Sequence, residues 1–242
     1  MSDSRWQPAR HVRGFDTCFG AYIRMLLRRS FASVWLSRDA ESIPSSGYVA
    51  CANHSSWWDG FIPYFLHHRF DPTRRFEILM SDRELRRFPF FRWGGAFSVD
   101  ARSVRTAYES IRYAAGQARG GAAVWIFPQG VLRNDRVWRP FTSGFVHAAR
   151  IANVPIVPVA MRFAMRDLQR PEVFVDIGAP LDATARNARD RAESSVLERL
   201  QAMDEAIAHD RVDQEFVAVL RANRGVDKTV ANVLSRARPW NR

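Results

Sequence analysis

An α/β fold, with a mostly parallel sheet covered by helices on both faces, is what this sequence predicts, and three observations carry the expectation. Short apolar runs of strand length, at residues 47–52, 76–80, 122–127, 154–161 and 173–177, alternate with segments of helical period. Those runs are apolar almost throughout, as strands covered on both faces are, instead of alternating between apolar and polar. The chain has 242 residues, enough for one large domain with a real core, and its 47% apolar and 25% charged residues are the composition of a globular protein, not a disordered one.

From residue 15 to 36 apolar side chains are dense, including Phe15, Phe19, Tyr22, Ile23, Leu26, Leu27, Phe31 and Trp35, but Arg24, Arg28 and Arg29 interrupt them. An amphipathic helix or helix pair is expected, either lying in a membrane interface with arginines at lipid phosphates or packing on the protein's own core. The run at 47–52 is bounded by Pro44-Ser45-Ser46 and reads as a buried strand, followed by a helix at 60–67. After the Asp71-Pro72 turn comes a strand at 76–80, with a short helix beginning at Ser81 or Asp82. The aromatic and glycine-rich stretch 88–97 is expected to be a loop lining a greasy surface.

Val104, Ala107, Ile111, Ala114 and Ala115 have helical spacing, with Ser103 as cap and Gly120-Gly121 as stop. The strand expected at 122–127 is broken sharply by Pro128-Gln129-Gly130. A helix over 142–152 returns to strands at 154–161 and 173–177, and charged, alanine-rich helix is expected from Pro180 to about Asn223. The basic tail 224–242, with Trp240 near its end, reads as a solvated terminus or a second membrane contact.

The net charge of +11 is almost wholly arginine, since Lys228 is the one lysine. Arginine binds phosphate and carboxylate bidentately, so an anionic partner is implied. Cys18 and Cys51 have no metal-knuckle or redox spacing, which favours a reducing compartment, and no metal site is expected. Residues 1–13 lack the apolar core of a secretory signal, and no run of eighteen apolar residues predicts a spanning helix. A cytoplasmic protein, peripheral on the inner face of the cell membrane, is the expectation.

The chemistry centres on Asn53-His54-Ser55-Ser56-Trp57-Trp58-Asp59. Residues five apart on a continuous helix point about 140° away from each other, so this pair needs an intervening turn to meet. If a strand ends before His54 and a helix opens at Asp59, the carboxylate can fold back onto the imidazole. A carboxylate holding Nδ1–H leaves the Nε2 lone pair free to activate a hydroxyl. The alternative is a surface loop in which Asp59 caps the helix and His54 bonds to the backbone. Ligands of open parallel sheets gather beyond the carboxyl ends of the strands, where His54 and the Phe127-Pro128-Gln129-Gly130 turn would share one cleft.

Four separated stretches together resemble the glycerolipid acyltransferase family that includes the bacterial, PlsC-like 1-acylglycerol-3-phosphate acyltransferases. They are the His-x4-Asp stretch 53–59, Gly95-Ala96-Phe97-Ser98-Val99-Asp100, Phe127-Pro128-Gln129-Gly130 and Val154-Pro155-Ile156-Val157-Pro158-Val159, in the family's order and spacing. The resemblance covers roughly residues 47–178 and implies a PlsC-like fold with a catalytic core at 41–180, flanked in the expected organisation by the amphipathic, membrane-associating segment at 1–40 and by helices with a basic tail at 181–242. It implies transfer of a fatty acyl group from acyl-CoA or acyl carrier protein, as co-substrate and with no cofactor, to the hydroxyl of a lysophospholipid. His54 would be the general base and Asp59 its orienter, with acceptor-binding positions at Asp100, Arg102, Gln129, Gly130 and Arg133. Backbone N–H groups near the Pro128-Gln129-Gly130 turn are candidates to stabilise the oxyanion.

Two positions depart from the family pattern. Its third block carries glutamate followed by glycine, threonine and arginine, where this chain has Gln129, Gly130, Val131 and Leu132, with Arg133 one place later. Its second block has arginine directly after the aspartate, where Ala101 stands here and Arg102 follows. These are positions associated in the family with the acceptor's phosphate, so a neutral lysolipid, a glycolipid or another lipid alcohol is the alternative acceptor. A basic module binding anionic membrane or RNA without chemistry is a second class, though nucleic acid is not the expected partner and no nucleic-acid motif occurs. A lipid hydrolase lacks its Gly-x-Ser-x-Gly elbow here. The oligomeric state is not legible.

Overall fold

The computed structural model describes residues 6–130, 132 and 137–222. An eight-stranded sheet forms its centre, in the order β4-β3-β5-β2-β6-β7-β1-β8. The strands are β1 (Ser33–Ser37), β2 (Tyr48–Ala52), β3 (Phe76–Ser81), β4 (Ala96–Val99), β5 (Ala123–Ile126), β6 (Ile156–Ala164), β7 (Glu172–Ile177) and β8 (Phe216–Arg221). The helices are α1 (Phe15–Ser30), α2 (Phe61–Phe70), α3 (Asp82–Arg87), α4 (Val104–Arg119), α5 (Gly144–Ala152), α6 (Ala188–Ala208) and the single turn α7 (Val212–Glu215).

β2 is central, parallel to β5 on one side (Ala50 beside Trp125, Cys51 beside Ile126) and to β6 on the other (Ala50 beside Val157). All five of its residues are buried, and the two-residue period divides them between two cores. Tyr48, Ala50 and Ala52 join the cluster under α1 and α2 with Ile23, Leu27 and Ile62. Val49 and Cys51 join the cluster under α4, α5 and α6 with Ala114, Phe145 and Val196. Gly47 is required where this strand begins, because a Cβ there would stand 1.9 Å from the Ala118 carbonyl oxygen at the end of α4.

The expected parallel, doubly covered sheet is present over β4, β3, β5, β2 and β6. Three expectations are corrected. The helix read through residue 36 stops at Ser30, and Ser33–Ser37 is a strand, parallel to β7 and antiparallel to β8. Its apolar Val34 and Trp35 face opposite cores, a two-residue alternation hidden at the end of a longer apolar stretch. The stretch read as a loop at 88–97 is a 3-10 helix, Pro89–Gly94, and then β4, with Phe97 fully buried. Gly95, at φ 100°, makes the turn between them, and a Cβ there would stand 2.0 Å from the Phe76 carbonyl.

The helix read through about residue 223 ends at Ala208, and the chain then turns through Asp210 at φ 52° into α7 and β8. β7 runs antiparallel to β6, so the far side of the sheet is mixed. Among the described residues no helix is long and apolar enough to cross a membrane. The tail from residue 224 lies outside the described residues.

Candidate active site

His54 lies two residues beyond the end of β2, and the chain turns immediately. Asn53 fixes the direction of exit: its side-chain amide donates to the Met161 carbonyl (2.9 Å) and its carbonyl accepts from the Met161 N–H (2.8 Å), so the end of β2 is pinned to β6. Ser56 then caps a 3-10 helix, Trp57–Gly60, in a capping box whose acidic member is Asp59. The Ser55 and Ser56 amides donate to Asp59 Oδ2 at 2.6 and 2.8 Å. That turn brings Asp59 Oδ2 to 2.8 Å from His54 Nδ1.

One carboxylate oxygen thus serves both readings of Asp59, the cap and the orienter. The Asp59 side chain is wholly buried whereas that of His54 is 24% exposed, so the orienter is shielded from water and the imidazole reaches solvent. With Nδ1 donating to Asp59, the neutral ring carries its lone pair on Nε2. Phe127 stacks on the imidazole with ring centroids 4.7 Å apart, and so fixes the plane of the ring. Trp58 and Phe61, which touch each other, and Phe31, which meets Trp58 at 5.1 Å, extend the apolar wall beside this turn.

The β5 turn meets the β2 turn through Gln129. Its side-chain oxygen accepts the His54 N–H at 2.7 Å, and its amide donates to the Arg139 carbonyl at 3.3 Å. A glutamate in the same pose could accept the first bond but not donate the second. Gly130 adopts φ 72°, and its N–H closes the turn onto the Phe127 carbonyl at 3.1 Å. Its amide is therefore engaged within the turn itself.

Asp100 and Arg102 follow β4 at the same end of the sheet, but three strand steps from β2, on the order of 14 Å away at the usual strand spacing. Arg102 Nε donates to Asp100 Oδ1 at 3.1 Å, and its guanidinium also reaches Oδ2 at 3.3 Å. This partnership holds the Asp100 carboxyl below the usual carboxylate range. His54, Asp59, Gln129 and Gly130 thus form one cluster, and Asp100 with Arg102 forms another. Arg133 lies outside the described residues.

Asn53 and Phe127 are the positioning residues that sequence reasoning passed over. The only signal for Asn53 was its place immediately before the histidine, and Phe127 read simply as the last residue of a strand. No group of three or more His, Cys, Asp or Glu side chains fit to hold a metal occurs among the described residues.

Comparison with known proteins gives a consistent set of likenesses. A family model described as acyltransferase matches residues 36–162. A 1-acyl-sn-glycerol-3-phosphate acyltransferase of Haemophilus influenzae is 32% identical over 97 residues, 36% of this chain and 40% of that protein. The corresponding enzyme of Escherichia coli is 27% identical over 156 residues, 60% of each chain. The alignments thus span from two fifths to three fifths of these relatives' own lengths. The crystal structure of the 1-acyl-sn-glycerophosphate acyltransferase PlsC from Thermotoga maritima has the same fold, with a TM-score of 0.59 over 78% of this chain and 81% of that one, at 19% identity.

Proposed function

From the match of a family model to more than half of its length, the chain belongs to the acyltransferase family, and on that premise we propose that it moves a fatty acyl group from a thioester donor to the hydroxyl of a lipid acceptor. The observation that carries the reading is the 2.8 Å contact between His54 Nδ1 and the buried Asp59 carboxylate at the end of the central strand. In the reaction His54 Nε2 takes the acceptor's hydroxyl proton as the oxygen attacks the thioester carbonyl. A tetrahedral oxyanion forms, and its collapse breaks the carbon–sulfur bond. The departing thiolate takes the proton from the imidazolium, leaving a free thiol and a new ester. Asp59 keeps Nδ1–H fixed throughout and stabilises the cationic ring.

Acyl-CoA and acyl carrier protein both satisfy this scheme as donor. For the acceptor, the names of the relatives favour 1-acylglycerol 3-phosphate. A second reading is an acceptor without a phosphate. It is favoured by the neutral Gln129, whose two polar ends are engaged by His54 and Arg139, and by Arg102, whose guanidinium is turned onto Asp100. Either acceptor resides in a bilayer, so the protein would work as a peripheral protein on a membrane surface, with the inner face of the cell membrane as its place.

The test is transfer of a labelled acyl chain from acyl-CoA to a panel of lysophospholipids and neutral lipid alcohols, with products identified by mass spectrometry. His54→Ala should remove transfer to every acceptor that the wild type uses, because no other group in the turn takes the proton. Transfer at the wild-type rate by a folded His54→Ala protein would end the general-base assignment.

A further inference from the structure

Phe127 and Gln129, the two residues of the β5 turn that hold His54, flank Pro128, and Pro128 is itself held from behind by Thr142. Proline has no N–H, so its carbonyl is the one polar group that this residue can commit. Both lone pairs of that carbonyl go to a single residue: the Thr142 N–H donates to it at 3.0 Å and the Thr142 hydroxyl at 2.8 Å. The bond from the Gly130 N–H to the Phe127 carbonyl, by contrast, closes the turn onto itself and gives it no hold on the rest of the fold.

Thr142 stands on firm ground. Its neighbour Phe141 is buried in the core under α4, α5 and α6, and α5 begins two residues later at Gly144. Trp138 stacks on Phe141 with ring centroids 5.5 Å apart, and its indole N–H donates to Glu193 Oε1 of α6 at 2.6 Å. Between them the Arg139 carbonyl accepts the Gln129 amide at 3.3 Å. Segment 138–142 is thus fastened to the core and to α6 at its back and to the β5 turn at its front. Any residue but proline could supply the main-chain bond at position 142, whereas the second bond needs a short side chain that carries a hydroxyl.

We infer that Thr142 is a positioning residue for the general base. Through the Pro128 carbonyl its hydroxyl fixes where Gln129 Oε1 meets the His54 N–H and where the Phe127 ring lies on the imidazole, and so where Nε2 points. The inference takes from the proposed function that His54 is the base. The hold on His54 is a separate matter, and it is measured without any substrate.

Thr142→Val keeps the branched shape and the main-chain bond and removes the hydroxyl; Thr142→Ser keeps the hydroxyl. Amide hydrogen exchange of the full chain, followed by NMR, reads the hold directly. In Thr142→Val the His54 amide, which bonds to Gln129, should exchange at least about tenfold faster. The Ser55 and Ser56 amides, which bond to Asp59 and not to the β5 turn, should stay within about threefold of the wild type. In steady-state transfer from acyl-CoA the same variant should lose about tenfold in kcat with KM changed less than about twofold, because the base is displaced while the substrates still bind. Thr142→Ser should restore both the His54 exchange rate and kcat. A His54 amide as protected in Thr142→Val as in the wild type would overturn the inference. So would equal acceleration of all three amides, which marks a general loosening, and so would a serine variant as impaired as the valine one, which marks a packing role for the methyl group. A wild-type protein without acyl transfer would bring down the proposed function alone, since the exchange rates would still decide whether Thr142 holds His54.

Discussion

At the scale of the residue, Asp59 combines two tasks that the sequence presented as alternatives. Its Oδ2 receives the Ser55 and Ser56 amides and lies against His54 Nδ1, while its Oδ1 is buried without a hydrogen-bond partner. Asp59→Asn is therefore expected to act twice. With its carbonyl at the Oδ2 position, the new NH2 would be buried where no acceptor stands, at a cost of about 1–3 kcal/mol in unfolding free energy. Loss of the charge behind the imidazolium should also lower kcat on the order of a thousandfold or more, with a smaller change in KM. Urea unfolding and steady-state kinetics on one preparation measure both. A normal kcat alongside the stability loss would leave Asp59 as a cap only. Gln129 is the other residue whose meaning changed on seeing its surroundings. A departure from the family pattern that reads as a lost charge is, in the folded chain, a two-ended bridge from the β5 turn to the His54 N–H on one side and the Arg139 carbonyl on the other.

At the scale of the element, α2 links the active turn to the pH response of the fold. The helix begins directly after the Trp57–Gly60 turn and carries in its last turn His67, which is buried and bonds through Nε2 to the Arg74 carbonyl at 2.8 Å. Burial depresses the His67 pKa from 6.5 to about 4. The unfolded chain therefore binds more protons between those values, and stability rises with pH across that window. The contribution is complete above about pH 6.5 and is lost as the pH falls through about 4, amounting to about 3 kcal/mol. His67→Gln keeps a donor for the Arg74 carbonyl and removes the titration. Urea unfolding at neutral pH and near pH 4 should show an acid-induced loss smaller in the variant by about that amount. An equal loss in both proteins would place the acid sensitivity elsewhere.

At the scale of the whole molecule, the N-terminal segment is part of the sheet as well as a candidate membrane contact. β1 lies between β7 and β8, with Val34 and Trp35 buried, and α1 contributes Ile23 and Leu27 to the core. Deleting residues 1–37 should thus abolish the cooperative unfolding transition, because it leaves β7 and β8 without the strand between them. Thermal unfolding followed by circular dichroism checks this, and a sharp wild-type-like transition would contradict it. Membrane attachment has to be read from point substitutions for the same reason. Part of the net charge of +11 acquires a location only in three dimensions: Arg24, Arg28 and Arg29 of α1, with Arg69 and Arg170, line one groove.

The sequence by itself determined the parallel centre of the sheet, the helices that cover it and the meeting of His54 with Asp59, because each is written in local terms. Apolar runs of strand length, helical periods and a serine-capped turn act over a few residues, and the strand ends that they define place the chemistry. Only the tertiary structure decided β1, β4 and β8, since each is a short strand whose hydrogen-bond partners lie far along the chain or beyond a glycine turn. It also decided that Asn53 grips Met161 across 108 residues and that Gln129 reaches His54 across 75. Such bonds depend on which strands become neighbours, and that is settled by the burial of two cores at once, not by the composition of any one segment.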